Sequence, residues 1–192
     1  IRVDEASGAV ALPIITGMYI DLDGNGGTTR GIHLTEGAEA EISGNDLIRV
    51  SITAGRAYAI DLVGTGSRPV GALIENNLAI SAGGMRGSSG TPTHSACINL
   101  QATDGVQIIG NYSIGEWDWA PAHFGAGIAD GEIARDGTVT AGYSTNLVIR
   151  GNELIQGPHT NDNLCEGIDV TAGIFLAGTQ TATIAENGRP TS

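Results

Sequence analysis

The sequence contains no lysine, and its nine basic residues are all arginines. Aspartate and glutamate together number 21, so the formal net charge at pH 7 is −12. Nucleic acids and anionic membrane surfaces are bound by clustered lysine and arginine side chains. The charge balance therefore argues against nucleic acid as a partner and against an anionic membrane surface.

Aromatic residues and cysteines are also scarce. Phe, Trp and Tyr make up 4% of the chain, so a core has to be filled by Ile, Leu, Val and Ala. Two cysteines, Cys97 and Cys165, are too few for a disulfide framework. No apolar run reaches the roughly 18 residues that predict a transmembrane helix, so we expect no membrane insertion. Residues 1–13 lack the apolar stretch of a signal peptide.

Glycine, in contrast, is abundant. The 30 glycines among 192 residues indicate many tight turns between short strands. This length is typical of one domain. We expect residues 1–192 to form a single domain, which is either a processed product or a segment of a longer chain, because the first residue is not Met.

One short segment recurs six times. It has two apolar residues around one variable residue, then two residues, then Asn. The copies are IDLDGN (20–25), AEISGN (40–45), ALIENN (72–77), VQIIGN (106–111), LVIRGN (147–152) and ATIAEN (182–187). The aligned asparagines are Asn25, Asn45, Asn77, Asn111, Asn152 and Asn187. In the second to fifth copies an isoleucine follows three residues after the Asn, at Ile48, Ile80, Ile114 and Ile155.

A second segment precedes several copies of the first. It appears as GIHL (31–34), AIDL (59–62), CINL (97–100) and GIFL (173–176), with GIAD (127–130) as a weaker copy. In three copies the interval from its isoleucine to the next aligned Asn is the same 13 residues, as from Ile32 to Asn45. A constant interval between two such segments indicates a structural repeat.

Both segments alternate with period 2, which predicts short strands with two side chains inward and one outward. Fixed strand signatures with variable spacing are typical of stacked coils whose loops differ in length. We therefore predict an all-β, right-handed parallel β-helix, a solenoid of about six coils. Each Asn is predicted to turn the chain in the left-handed region. Stacked Asn side chains are predicted to form a hydrogen-bonded ladder.

These I-x-x-N-x-x-I repeats and their Asn column, over residues 14–188, resemble the pectate-lyase-like superfamily of right-handed parallel β-helices. That superfamily includes polysaccharide lyases, polygalacturonases, mannuronan epimerases and bacteriophage tailspikes. The resemblance implies an exported protein, extracellular, on a cell surface or on a virion, that binds or processes polysaccharide as a lyase, a hydrolase or a tailspike. The alternative is a non-catalytic structural or adhesive β-helix, because the same repeat serves both.

Three long inserts occupy the same place in successive coils, at residues 81–96, 115–126 and 156–167. We expect them to project as long loops from one edge. Trp117 and Trp119 can stack on sugar rings or pack the loop against the coils. The other candidate residues of these inserts are Arg86, His94, His159 and Asp162 for substrate binding, and Asp118 and His123 for catalysis.

The outward residues of the Gly-Ile-x-Leu strands run His33, Asp61, Asn99, Ala129 and Phe175. In the enzymes that the sequence resembles, the cleft lies along this kind of sheet. That resemblance makes His33 and Asp61 candidate catalytic residues and Asn99 a candidate for substrate binding. The alternative is a solvated polar sheet face without chemistry.

Two reactions fit these residues in different ways. Glycoside hydrolysis needs two carboxyl groups roughly 5–10 Å apart, and the outward column supplies only Asp61, so a partner such as Asp118 or Asp162 has to come from the inserts. A lyase needs a base beside an acidic sugar and a cation that neutralises the carboxylate. The four histidines are the candidate bases and Arg86 the candidate clamp.

The string from Asp21 to Gly26 matches the start of a calcium loop, D-x-D-x-N-G. Its twelfth position is Ile32, where such a loop has glutamate. We expect no cofactor, with calcium at Asp21 and Asp23 as the alternative. A β-helix also has open ends with unpaired backbone groups, and nothing after Asn187 reads as a cap. We therefore expect self-association or continuation into further domains at these ends.

Overall fold

The computed structural model describes residues 1–4, 12–84, 92–115, 124–134, 137–155 and 170–188. Within these ranges the chain forms eighteen β-strands and no helix, and the strands are numbered in chain order. It follows that no helix in the described ranges has the length and hydrophobicity needed to cross a bilayer.

The strands lie in three sheets. Sheet A contains β1 (Arg2–Val3), β4 (Thr28–Thr35), β7 (Gly55–Val63), β10 (Pro92–Gln101), β13 (Phe124–Ile133), β14 (Val139–Ala141) and β17 (Val170–Leu176). Sheet B contains β2 (Ile14–Thr16), β5 (Glu39–Ser43), β8 (Gly71–Glu75), β11 (Gln107–Ile109), β15 (Leu147–Arg150) and β18 (Ala182–Ala185). Sheet C contains β3 (Tyr19–Gly24), β6 (Leu47–Ile52), β9 (Ile80–Gly84), β12 (Ile114–Gly115) and β16 (Leu154–Ile155).

The chain visits the sheets in the constant order A, B, C. Each strand pairs in parallel with the strand one coil earlier and one coil later, as β4 does with β1 and β7. Only β14 interrupts this order in the described chain, because it pairs antiparallel with β13. The prediction of a parallel β-helix is confirmed, and its six coils correspond to the six passages through sheet A.

The core consists of columns of like side chains. Ile42, Ile74, Ile108 and Ile149 lie in register on sheet B, and all four are completely buried. Sheet A contributes an isoleucine column through Ile32, Ile60, Ile98 and Ile128. Each pair of neighbours in a column is separated by one strand spacing of about 4.8 Å. Aliphatic side chains from three sheets therefore fill the interior, and the described part of this core contains no aromatic residue.

An asparagine ladder runs along the turn between sheets B and C. The side-chain Nδ2 of Asn45 donates to Oδ1 of Asn77 at 2.8 Å, and the same bond links Asn77 to Asn111 and Asn111 to Asn152. The last step, from Asn152 to Asn187, measures 3.0 Å. Each of the five Nδ2 groups also donates to a main-chain carbonyl of the preceding coil. The ladder is confirmed for these five residues.

The prediction of Asn25 as a sixth member of the ladder was wrong. Its segment IDLDGN belongs largely to β3 in sheet C, where Ile20 lies in register with Ile48, and Asn25 itself is exposed. The sheet B strand of the first coil is β2, and the residue at the ladder position is Met18, whose main-chain N–H donates to Asn45 Oδ1 at 3.0 Å. The Asn-containing pattern occurs by chance in β3, the strand that follows β2.

Two details of the repeat also differ from the prediction. The position in register with Ile114 is taken by Leu154 instead of Ile155, because the turn after Asn152 is one residue shorter. The residue in the left-handed region is the one before each ladder Asn, with φ between 53° and 64° at Gly44, Asn76, Gly110, Gly151 and Glu186. Glycine at three of these five positions removes the steric cost of that conformation. The ladder Asn is therefore selected for hydrogen bonding, not for turning the chain.

The inserts contain more strand than expected. Residues 81–84 belong to β9, residues 92–96 to β10 and residues 124–126 to β13. Gly115 belongs to β12, and the remaining parts of the three predicted loops lie outside the described residues. A fourth insert, not predicted, is the antiparallel hairpin of β13 and β14, which pairs Gly131 with Ala141 and Ile133 with Val139. It accounts for the longest spacing between ladder asparagines, the 41 residues from Asn111 to Asn152.

Candidate functional site

The outward face of sheet A aligns polar residues from four successive strands. The register places Arg2 beside His33, His33 beside Asp61, and Asp61 beside Asn99. The column continues through Ala129 and Phe175. The sequence-based alignment of the Gly-Ile-x-Leu strands is therefore confirmed, and it brings His33, Asp61 and Asn99 together.

A bend in strand β7 adds further side chains to this face. Ala59 and Ile60 are neighbours in sequence, and both belong to the aliphatic core. The regular alternation of a strand is broken between them, so Tyr58 and Asp61 face outward on either side of the bend. Arg30 lies in register with Tyr58 on the adjacent strand. This irregularity places Arg30 next to Asp61, which simple period-2 counting does not predict.

Asp61 is a fully buried carboxylate with polar neighbours on both adjacent strands. Arg30 Nε donates to its Oδ2, and Asn99 Nδ2 donates to its Oδ1 at 2.7 Å. His33 Nε2 lies 3.7 Å from Oδ2, which is within ion-pair range but too long for a hydrogen bond. A buried carboxylate requires such partners to offset its desolvation. Since its exposed fraction is 0%, Asp61 can hold Arg30 and Asn99 in position but cannot itself meet a ligand from solvent.

His33 is partly open to solvent, with 19% of its side chain exposed. Burial lowers the pKa of His33, and the negative charge of Asp61 opposes that effect only in part. The imidazole is therefore neutral at neutral pH. A neutral imidazole can accept a proton, as a general base does.

An open groove of about 590 Å³ adjoins His33 and Arg30. It follows the ends of β1, β4 and β7, and its lining includes Arg2, Arg68, Asp4 and Glu36. The charged groups are arranged in pairs: Arg2 Nε is 2.9 Å from Asp4 Oδ1, and Arg68 Nη1 is 3.3 Å from Glu36 Oε2.

The pKa of Asp4 is lowered, chiefly by the hydrogen bond from the Thr35 hydroxyl and then by Arg2. The groove thus presents guanidinium donors beside ionised carboxylate acceptors. Three of the nine arginines of this acidic chain line it.

A second polar cluster lies on the same face, beneath the β13–β14 hairpin. Glu132 bridges two strands, with Oε2 at 3.0 Å from Arg56 Nη1 and 3.3 Å from His94 Nδ1. The rings of His94 and Tyr58 meet edge to face, with centroids 5.7 Å apart. Burial raises the pKa of Tyr58 to about 12, and the negative charges of Asp61 and Glu132 act in the same direction. The negative charge of Asp61 thus acts both on Tyr58 in this cluster and on Arg30 at the edge of the groove.

The predicted site residues divide into two groups. His33, Asp61, Asn99 and His94 lie on the outward face of sheet A, but His94 is a strand residue of 3% exposure instead of a loop residue that could reach a ligand. The other predicted residues lie outside the described residues: Arg86, Trp117, Asp118, Trp119, His123, His159 and Asp162.

Sequence reasoning missed Arg30, Arg68, Tyr58 and Glu132. The scarcity of basic residues was the available signal for the arginines. Arg30 directly precedes GIHL, and Arg68 follows AIDL by six residues. No comparable signal marked Glu132, since its position depends on the hairpin.

The calcium string has a different structure from a calcium loop. Asp21 and Asp23 face outward on β3, and Arg49 binds Asp21 through two hydrogen bonds of 2.7 and 2.8 Å. A cation at Asp21 would have to displace this guanidinium. Among the described residues, no group of three or more His, Cys, Asp or Glu side chains is arranged to hold a metal.

Comparison with known proteins gives no match to any family model, curated protein or solved structure. The parallel β-helix is therefore established by the strand pairing alone.

Proposed function

We propose that this β-helix is an exported protein that binds polysaccharide in the groove beside sheet A. The observation that carries the proposal is the meeting of Arg30 and His33 over buried Asp61, at the edge of an open groove lined by two further arginines. Sugar hydroxyl groups both donate and accept hydrogen bonds, so they match a surface of paired guanidinium and carboxylate groups.

The arginines favour a polysaccharide that carries carboxylate or sulfate groups. Guanidinium forms bidentate hydrogen bonds with such anions. In a chain of net charge −12, an anionic ligand is repelled by most of the surface. The groove has three arginines beside the carboxyl groups of Asp4 and Glu36, with Asp61 buried beneath Arg30. It is therefore a region where that repulsion is locally offset.

We further propose that the site can process an acidic sugar, with His33 as the base. In elimination a base takes the proton from C5 beside a uronate carboxylate, the electron pair forms a C4=C5 double bond, and the C4–O bond breaks. The leaving oxygen takes a proton from water or from the protonated base. The reaction therefore needs a neutral base and a cation near that carboxylate. His33 supplies the first, since burial keeps its imidazole neutral. Arg30 supplies the second and is held by Asp61. Hydrolysis is less favoured, because the one carboxylate in the outward column is completely buried.

The test is a screen of the whole protein against acidic probes (polygalacturonate, alginate and chondroitin sulfate) and one neutral probe (dextran). Binding is measured by affinity electrophoresis, and turnover by ultraviolet absorbance of unsaturated products and by reducing ends. We expect binding to the acidic probes, weakened about tenfold in Arg68→Gln, which removes one charge-assisted contact.

Arg150→Gln is the matched control. Arg150 is also exposed and also pairs with a glutamate, at 3.2 Å from Glu186, but it lies on sheet B. Equal binding of acidic and neutral probes, or equal losses in the two variants, would contradict the proposal for the groove. Binding without any product would retain the binding function and reject catalysis, which leaves the adhesive alternative. If product is formed by the unmodified protein, His33→Gln should abolish turnover and preserve binding.

A further inference from the structure

The β13–β14 hairpin covers part of the outward face of sheet A. Ile133 packs against an apolar cluster on that face, formed by Tyr58, Ala96, Ala126 and Ala129. This cluster is separate from the core inside the coils.

The cover is attached weakly. Its two strands share three residue pairs, from Gly131 with Ala141 to Ile133 with Val139, and a two-stranded hairpin of this size is marginal by itself. Glu132 joins the hairpin to the sheet through Arg56, whose side chain is 46% exposed, and through His94 Nδ1 at 3.3 Å. The exposed pair with Arg56 contributes little. Val139 is the cross-strand partner of Ile133 and lies on the same face of the hairpin, but its side chain is 54% exposed. Ile133 is therefore the main apolar anchor.

The base of the hairpin, in contrast, is fixed to the coils. Asp130 takes the position of a leucine, in register with Leu100 and Leu176, and is fully buried. Its carboxylate accepts hydrogen bonds from the main-chain N–H and the hydroxyl of Ser144 at 3.2 and 2.8 Å, and another from the Thr179 hydroxyl.

Gly142 is also held at the base, because it donates to Ala177 O at 2.8 Å and accepts from Ala102 N at 2.6 Å. The boundary between fixed and detachable chain therefore lies at Gly131, whose φ is 107°. Only glycine adopts this conformation readily, and a Cβ there would lie 2.4 Å from Thr140 O.

From these contacts we propose that the hairpin strands, residues 131–134 and 137–141, form a hinged cover that swings about Gly131 and uncovers the outward face of sheet A from Tyr58 to Ala129. Opening joins this face to the arginine-lined groove at Asp61 and lengthens the surface along which a ligand can lie. The cover limits the site to the first three coils when it is closed. This proposal concerns access and does not depend on the identity of the ligand.

The test measures opening directly in the ligand-free protein. Nitration of Tyr58 by tetranitromethane is followed by peptide mapping, and Tyr19, Tyr112 and Tyr143 provide the rate for exposed phenols, since each is at least 63% exposed. Hydrogen exchange reports on the hairpin and, through the β10 amides, on global unfolding. Each rate is expressed relative to that of a fully exposed phenol or amide. On this scale we expect Tyr58 and the hairpin amides to react at least about 100-fold faster than the β10 amides.

Two variants of the same hairpin supply the control. Ile133→Ala removes the anchor and should accelerate nitration of Tyr58 about tenfold, while Val139→Ala, at a side chain that is more than half exposed, should change it much less. The β10 amides show whether either variant has lost global stability. Reaction of Tyr58 and the hairpin only at the rate of global unfolding would overturn the proposal, and so would equal effects of the two substitutions.

Discussion

The asparagine ladder makes a quantitative prediction that distinguishes its true members from the false one. Asn111 is 1% exposed, and its side chain forms four hydrogen bonds of 3.2 Å or shorter. It donates to Ile74 O and Asn152 Oδ1, and it accepts from the main-chain N–H and the Nδ2 of Asn77. Replacement by alanine removes all four and leaves their partners buried.

At about 1 kcal/mol for each hydrogen bond, Asn111→Ala should reduce the free energy of unfolding by about 4 kcal/mol. Asn25→Ala removes an exposed side chain and should change it by less than about 0.5 kcal/mol. Asn187→Ala should fall between them, because Asn187 is exposed more than Asn111 and ends the described ladder.

The assay is equilibrium unfolding in guanidinium chloride, followed by far-ultraviolet circular dichroism and incubated until unfolding and refolding curves coincide. The order of the three midpoints, at similar slopes, is the result that matters. If Asn25→Ala proved as costly as Asn111→Ala, the alignment of the first coil and the position of Met18 in the ladder would both be wrong.

Two further predictions concern the outward face of sheet A. Asp61→Asn should reduce the free energy of unfolding by about 2–3 kcal/mol in chemical denaturation, because it deprives Arg30 of a buried partner. Asp21→Asn, in an ion pair that is partly exposed on both sides, should reduce it by at most about 1 kcal/mol. Similar losses in the two variants would refute the special role of Asp61. Tyr58 should titrate near 12, above the ordinary phenol value of about 10. Because the unfolded phenol loses its proton first, the folded protein binds more protons and loses stability as the pH rises from 10 towards 12. Absorbance titration with Tyr58→Phe as the control checks this, and a single transition of all four tyrosines would contradict it.

Much of the fold could be predicted because each strand carries its own signature. Isoleucines that recur in the sequence also lie in register in the structure, such as Ile32 beside Ile60. The sequence repeat therefore indicates directly which strands stack on each other. The first coil was misaligned because IITGM lacks the Asn that marks the ladder, while IDLDGN in the next strand possesses it by chance. A repeat is hardest to read where its polar marker is absent.

The candidate site was predicted only in part. His33, Asp61 and Asn99 follow from strand register, which sequence patterns encode. Arg30 required the bend between Ala59 and Ile60, and such a break in alternation has no marker in the sequence. Glu132 required the hairpin, whose effect is to place residues from distant coils together. The sequence indicated the hairpin only through the aspartate of GIAD, which stands in place of leucine. In the structure this aspartate accepts hydrogen bonds from Ser144 and Thr179.

The ladder has a direction, and this constrains how such a chain can change in length. Every amide from Asn45 to Asn152 donates to the coil that follows and accepts from the coil or turn before it. A coil added in the opposite sense would place two acceptors against each other. Gain or loss of sequence is therefore tolerated in two forms, as loop residues outside the stack or as an entire coil with its own Asn. A duplicated coil would meet matching hydrogen-bonding groups on both sides, so growth by whole repeats is the evolutionary route that this architecture leaves open.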